Sequence, residues 1–321
     1  MNKVSDVYCI GLVVANLPVR PVNKDVFDID VNLVDAIELF PGGDAMNEAI
    51  TLAKLGVSTG LIGKVGKDNF GEVLIRYANE IGVDTANVIA EKSEKTSVCV
   101  VLIDKDGKRN FLSFRGANNS LCTDDIDFSI LRKTKIINIG SIFALPMLDR
   151  GGLFDILSEA VSNHVITAAD MKYDSFNVGF NGIKNILPYI DYLMPSYDEA
   201  AYLTNETDPS KMAGVLQDAG ARTVVIKLGK DGCYVKSGRD SFMIKPFDVN
   251  VVDTTGAGDN FVAGFLTGVL QGWELKKTCI FANAVASISV QKVGATAGIQ
   301  SMDQVLDFIS MNSKIINGEI T

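Results

Sequence analysis

Short apolar, β-branched runs alternate with segments of helical period along most of this chain, and that alternation constrains the fold more than any other feature. Residues 135–140, 165–171, 190–194 and 223–228 each have the length and composition of a strand buried on both faces. Residues 152–163 and 277–290 carry apolar side chains at helical spacing, and so do 69–81, which follow a further strand-like run at 58–65. Strands that alternate with helices predict an α/β protein whose mostly parallel central sheet is flanked by helices on both faces. The chain has 321 residues, 47% of them hydrophobic, enough for a sizeable core. No fixed-period repeat, low-complexity tract or linker divides it, so 1–321 reads as a single domain.

Two regions depart from this rhythm. The continuous apolar run 7–15 reads as one buried strand, with Asn16 at its end, where open α/β sheets place ligand contacts. The segment 17–40, with Pro18 and Pro21, then reads as irregular chain with short, partly exposed strands. Farther on, 95–104 and 109–115 alternate around Lys105-Asp106-Gly107-Lys108, a hairpin pattern. A second hairpin is expected from 233–235 and 242–244.

The formal net charge of −9 argues against nonspecific nucleic-acid or anionic-membrane binding, which need a cationic face. It leaves nucleotides open, because a local turn can bind phosphate on an acidic protein. The five cysteines are scattered, without metal-ligand or redox spacing. The chain shows no signal-peptide pattern, and no apolar run reaches the roughly 18 residues a membrane helix needs. These features are those expected of a cytoplasmic protein.

The chemistry concentrates near the C-terminus. A β-branched run at 249–252 reads as a strand, and Phe261, Phe265, Leu266, Val269 and Leu270 mark the inner face of a helix. Between them lies Gly256-Ala257-Gly258, followed by Asp259. Backbone N–H groups in so bare a turn can face an anion, aided by the helix dipole. A carboxylate there suits one task, taking a proton from a hydroxyl while the turn holds a phosphoryl group. A glycine turn of this kind also serves close packing alone. Pro41-Gly42-Gly43-Asp44-Ala45-Met46-Asn47 forms a second such entrance to a helix, where Asn47 can bind a sugar hydroxyl or, like Asp44, cap the helix. Arg115 reads as solvated or as a contact to an anionic substrate group. His164 reads as a surface residue, and Asp124, Asp125 and Asp127 as a solvated helix start.

The stretch 253–266, DTTGAGDNFVAGFL, and the stretch 42–56, GGDAMNEAITLAKLG, resemble the C- and N-terminal signatures of the ribokinase-like (PfkB) carbohydrate kinases. GANNSL at 116–121, PSYDEA at 195–200 and KLGKDG at 227–232 add to a resemblance that covers the whole chain. It implies a ribokinase-like fold with a small β-sheet lid, built from 14–41 and 96–118, and an ATP- and Mg2+-dependent transfer to a small sugar. Asp259 would be the base, and Gly256, Ala257 and Gly258 the anion hole. Asn16, Gly42, Gly43 and Asn47 would hold the sugar. Lys227, Gly229, Asn283 and Ser196 would serve the nucleotide, Glu199 would act on Mg2+ through water, and Asp253 with the 294–298 loop would form a K+ site where one exists. The lid would suit a homodimer.

Departures from the family pattern bear on substrate. Asn16 stands for a common aspartate, Ser196 for the asparagine of Asn-x-x-Glu, and Asp44 for a small or basic residue. Phe143 and Ala144 stand where ribokinase has a substrate-binding glutamate. Fructokinase, nucleoside kinase and 2-keto-3-deoxygluconate kinase therefore stay open beside ribokinase, as does a non-catalytic sugar- or nucleotide-binding relative.

Overall fold

The structure, a computed structural model, describes residues 4–316. In chain order the strands are β1 (Val7–Ile10), β2 (Val14–Arg20), β3 (Ala36–Ile37), β4 (Phe40–Gly42), β5 (Thr59–Gly66), β6 (Asp84–Glu91), β7 (Ser97–Ile103), β8 (Arg109–Phe114), β9 (Ile136–Ile142), β10 (Ile166–Met171), β11 (Tyr192–Leu193), β12 (Thr223–Lys227), β13 (Cys233–Ser237) and β14 (Asp240–Ile244). The helices are α1 (Asp44–Lys54), α2 (Asn69–Ile81), α3 (Leu153–Ser162), α4 (Gly179–Ile183), α5 (Tyr197–Thr204), α6 (Pro209–Asp218), α7 (Ala257–Leu270), α8 (Leu275–Ser289) and α9 (Met302–Ile316).

Among the described residues, nine strands form the main sheet in the order β14-β13-β12-β11-β10-β9-β1-β5-β6, parallel from β12 through β6, with the β13–β14 hairpin as an antiparallel edge. Successive side chains in β1 go to opposite layers. Tyr8 and Ile10 join Leu157 of α3 and Leu216 of α6 on one face; Val7 and Cys9 join Ile50 of α1 and Phe265 of α7 on the other. Both faces are therefore dry, as the unbroken apolar strands require. From β1 the chain goes first to β5 on one side and later to β9 on the other. This reversal opens a crevice at the C-terminal strand ends, where such sheets bind ligands.

A smaller sheet, β3-β2-β7-β8 with β4 also on β2, is built from the two stretches that broke the βα rhythm. The expected hairpin at 95–115 forms as β7 and β8.

Two sequence expectations need correcting, and one strand lies outside them. The run 7–15 is two strands in two sheets. At Val13 the backbone bonds go to the Asn118 side chain, whose Oδ1 accepts from Val13 N at 3.2 Å and whose Nδ2 donates to Val13 O at 3.0 Å, so the first ladder stops. Residues 249–252 are not a strand. The β13–β14 hairpin already fills that sheet edge, and Val252 N and Asp253 N both donate to Val290 O instead. Strand β6 was not anticipated, since its half-exposed alternation is weaker than that of its neighbours.

Candidate active site

Helix α7 begins at Ala257, directly after Gly256, whose φ of 73° is left-handed. A Cβ at Gly256 would also come within 2.7 Å of Ala295 Cβ, so only glycine lets the turn approach the 294–298 loop. Asn260 ties the two together, donating from Nδ2 to Gly256 O at 2.7 Å and Ala295 O at 2.6 Å. Residues 256–258 stay half-buried and open to the crevice, while Asp259, one residue on, is only 6% exposed. The geometry places the N–H groups of Gly256 and Gly258 at a helix N-terminus with a carboxylate behind them, while Ala257 N donates to Thr254 O at 3.2 Å.

Helix α1 supports this turn from the side. Asn47 Nδ2 donates to Asp259 Oδ2 at 2.7 Å, and Thr51 Oγ1 donates to Asn260 Oδ1 at 2.9 Å. The amide nitrogen of Asn47 is thus committed to the carboxylate, and its buried Oδ1 finds no partner among the described residues. Asn16, on β2, lies over Gly42: a Cβ there would be 2.1 Å from Asn16 Nδ2. Gly43 precedes α1 with φ 89°.

Lys172, just past β10, was not singled out in the sequence. Its Nζ lies 3.6 Å from Asp259 Oδ1 and 3.5 Å from Asp44 Oδ2, with its side chain 38% exposed to the crevice. The available signal was its place at the C-terminal end of a parallel strand. Lys227, at the end of β12, pairs with Asp170 of β10, and a Cβ at Gly258 would lie 3.5 Å from its Nζ. Two cations therefore flank the turn and its carboxylate.

These charges sort the carboxyl groups. Burial pushes the Asp259 pKa up, but Lys172, the Asn47 hydrogen bond and Lys227 outweigh it and hold the group below the usual carboxylate range. Burial lowers the Lys172 pKa, yet Asp259, Asp44, Asp170 and Glu199 together raise it well above normal, so the ammonium persists. Glu48, wholly buried one turn along α1, is pushed well up by burial and then by Asp44, Asp170 and Asp259. Its Oε2 accepts from Asn138 Nδ2 at 2.7 Å, and a proton on the buried, unpartnered Oε1 would make that oxygen a donor. Asp170 is raised to about 6, by burial first, with Lys227 opposing and Glu199 adding to the rise.

A cavity of about 440 Å³ opens on one side of the turn, lined by Lys227, Gly229, Phe247, Val249, Gly258 and Asn283. Asn283 Nδ2 donates to Ile244 O and Lys245 O, both at 3.2 Å, so this amide shapes the wall. A second cavity, of about 310 Å³, is lined by Phe143, Lys172, Tyr173, Ser196, Glu199 and Tyr202. Ser196 and Glu199 form a capping box on α5, with Ser196 N donating to Glu199 Oε2 at 2.7 Å. Arg115 donates to Ala144 O at 3.1 Å and Ser175 Oγ at 2.6 Å and stacks on Phe176, so its guanidinium braces the chain on either side of this cavity's lining residues Phe143 and Asp174. A larger hollow of about 700 Å³ lies at the opposite ends of the strands, around His164, Arg222 and Trp273, away from these charges.

Asp253 does not fit a K+ site. Its Oδ1 accepts from Thr255 N at 2.8 Å, its Oδ2 accepts from Gly294 N at 2.9 Å, and Arg109 Nη2 lies 2.8 Å from Oδ1. A guanidinium already stands on the carboxylate, and a metal cation beside it would be repelled.

The pfkB family carbohydrate kinase model matches residues 4–302. The 5-dehydro-2-deoxygluconokinase of Geobacillus thermodenitrificans is 30% identical over 284 residues, covering 84% of each chain. Ribokinase from Thermotoga maritima superposes with a TM-score of 0.81 at 25% identity, over 95% of this chain and 99% of that one. A putative ribokinase II from E. coli, in complex with ATP and Mg2+, gives a TM-score of 0.83 at 22% identity, over 96% and 99%. With both signature stretches meeting at one crevice of a ribokinase-like fold, the chain belongs to the pfkB family of carbohydrate kinases.

Proposed function

We propose that this kinase transfers the γ-phosphoryl group of ATP to a hydroxyl of a small sugar, with Asp259 as the base. The observation that carries the reading is one ionised, buried carboxylate fixed by Asn47 behind an open N–H turn and flanked by Lys172 and Lys227. The nucleotide lies in the cavity beside Gly229 and Asn283, and its γ-phosphoryl meets Gly256, Ala257 and Gly258. The sugar enters from the Phe143–Lys172 side, near Asn16, Gly42 and Gly43, and offers its hydroxyl to Asp259. Asp259 takes the proton as the new O–P bond forms, which does not require a raised pKa. Lys172 and Lys227 balance the negative charge gathered there.

Mg2+ binds through waters, phosphates and one or two carboxylates, and Glu199, in the wall of the second cavity, suits that role, whereas Asp170 is already paired with Lys227. Bound there, Mg2+ would neutralise phosphate charge. The smaller sheet acts as a lid whose closure excludes water, the competing acceptor.

A second reading, a sugar acid as acceptor, is favoured by Lys172, the cation in the cavity wall. It accords with the name of the Geobacillus relative. Coupled ATP-consumption assays across pentoses, ketohexoses, sugar acids and nucleosides test both readings. Turnover is expected with one class, and Asp259→Asn should lower kcat by ~10³-fold or more, with KM for ATP within a few-fold. A variant that keeps most of its rate would remove Asp259 from the mechanism. Binding without turnover on every substrate would make the chain a sensor.

A further inference from the structure

Arg109 opens β8, the outer strand of the smaller sheet, yet its guanidinium ends on the loop before α7. Beside the contact to Asp253, Nη1 donates to Thr255 Oγ1. The Asp253 carboxylate also binds Gly294 N, so a single lid residue reaches the 253–255 loop directly and the 294–298 loop through Asp253. A second protein cation stands close by. Lys54, in the last turn of α1, donates from Nζ to Thr296 O at 2.7 Å, on the loop that packs against Gly256. Positive charge from two separate elements thus occupies the acceptors beneath the anion turn.

We propose that Arg109 is a positioning residue for phosphoryl transfer, a cation carried by the lid that sets the 253–258 turn and makes a monovalent metal ion unnecessary. The inference rests on the kinase reading above. When the smaller sheet is down, Arg109 neutralises Asp253 and holds Thr255, and the turn of residues 256–258 keeps its shape beside the crevice. When it lifts, Asp253 loses its counter-charge and the turn loses an anchor. Lid closure and assembly of the anion hole become one event, which restrains transfer to water before the sugar is bound. The hydrogen bonds from Gly294 and Thr255, with Arg109, outweigh burial and keep the Asp253 carboxyl below its ordinary range, so the carboxylate stays charged for this contact.

The test compares wild type with Arg109→Ala, each with tetramethylammonium as the only monovalent cation and then with K+. Wild type is expected to show the same kcat within ~2-fold in both, and an unfolding midpoint that K+ does not raise. Arg109→Ala should lose ~100-fold in kcat in tetramethylammonium with KM for ATP little changed; K+ should restore part of the rate and raise the midpoint. If Arg109→Ala does not fold, Arg109→Gln, which keeps a donor for Thr255, takes its place. A wild type that needs K+, or binds Tl+ at Asp253 in a crystal, overturns the proposal; so does a variant with wild-type kcat in tetramethylammonium. Should the chain phosphorylate no sugar, the kinase reading fails separately, and the midpoints and Tl+ binding still decide the cation question.

Discussion

The acidic side chains at the C-terminal strand ends share one neighbourhood, but their surroundings push them in opposite directions. Lys172 and Asn47 overcome burial and hold Asp259 below the usual carboxylate range, while burial and its acidic neighbours push Glu48 well up. Asp259 was legible because the turn that precedes it is local in sequence. Lys172 was not, because its meaning depends on Asp44 and Asp259, which arrive from other elements. Asp149 supplies a testable titration. Its two oxygens accept from Phe143 N at 3.1 Å and Leu145 N at 3.0 Å, supporting the left-handed Phe143, and burial raises its pKa from 3.8 to about 7. A carboxyl with a raised folded-state pKa favours the fold below its unfolded value, and this contribution is lost as pH rises through the folded one. Urea unfolding of wild type should therefore show a decline between about pH 4 and pH 7 that is absent in Asp149→Asn. Equal slopes in the two proteins would place the Asp149 titration elsewhere.

Helices α1 and α7 act as a pair, clasped by Asn47–Asp259 and Thr51–Asn260, and the two signatures are the contact faces of that pair. Their helical period, glycine entrances and polar first turns could all be read locally. The 249–252 strand could not, because β-branched composition states a preference for extended chain but not whether a neighbouring strand is free to pair. Gly43 sets the angle at which α1 leaves the smaller sheet. A Cβ there would lie 2.2 Å from Leu12 O, at a φ that alanine tolerates poorly. Gly43→Ala should cost ~2 kcal/mol or more in urea unfolding and lower kcat by shifting Asn47. A loss below ~0.5 kcal/mol would show that the β4–α1 junction yields easily.

The molecule carries its smaller sheet with a largely exposed outer strand. Phe111 is 60% exposed, Leu112 54% and Phe114 54%, and Ile37 on β3 is 61% exposed. Side chains of this kind on an edge strand are costly to leave in water and suit a second copy of the same sheet. Sedimentation is expected to show a homodimer, and Phe111→Asp with Leu112→Lys should convert it to a monomer with its fold intact by circular dichroism. A monomeric wild type at micromolar concentration would leave this face to another occupant. The sequence alone determined the layered α/β architecture, the smaller sheet's two source segments and the turn ending at Asp259, since each rests on periodicity or on residues adjacent in the chain. Tertiary structure decided which charges meet: Lys172 between two carboxylates, Glu48 buried among acidic neighbours, and Arg109 upon Asp253. Those outcomes depend on through-space distance and on loss of water, which linear spacing does not encode.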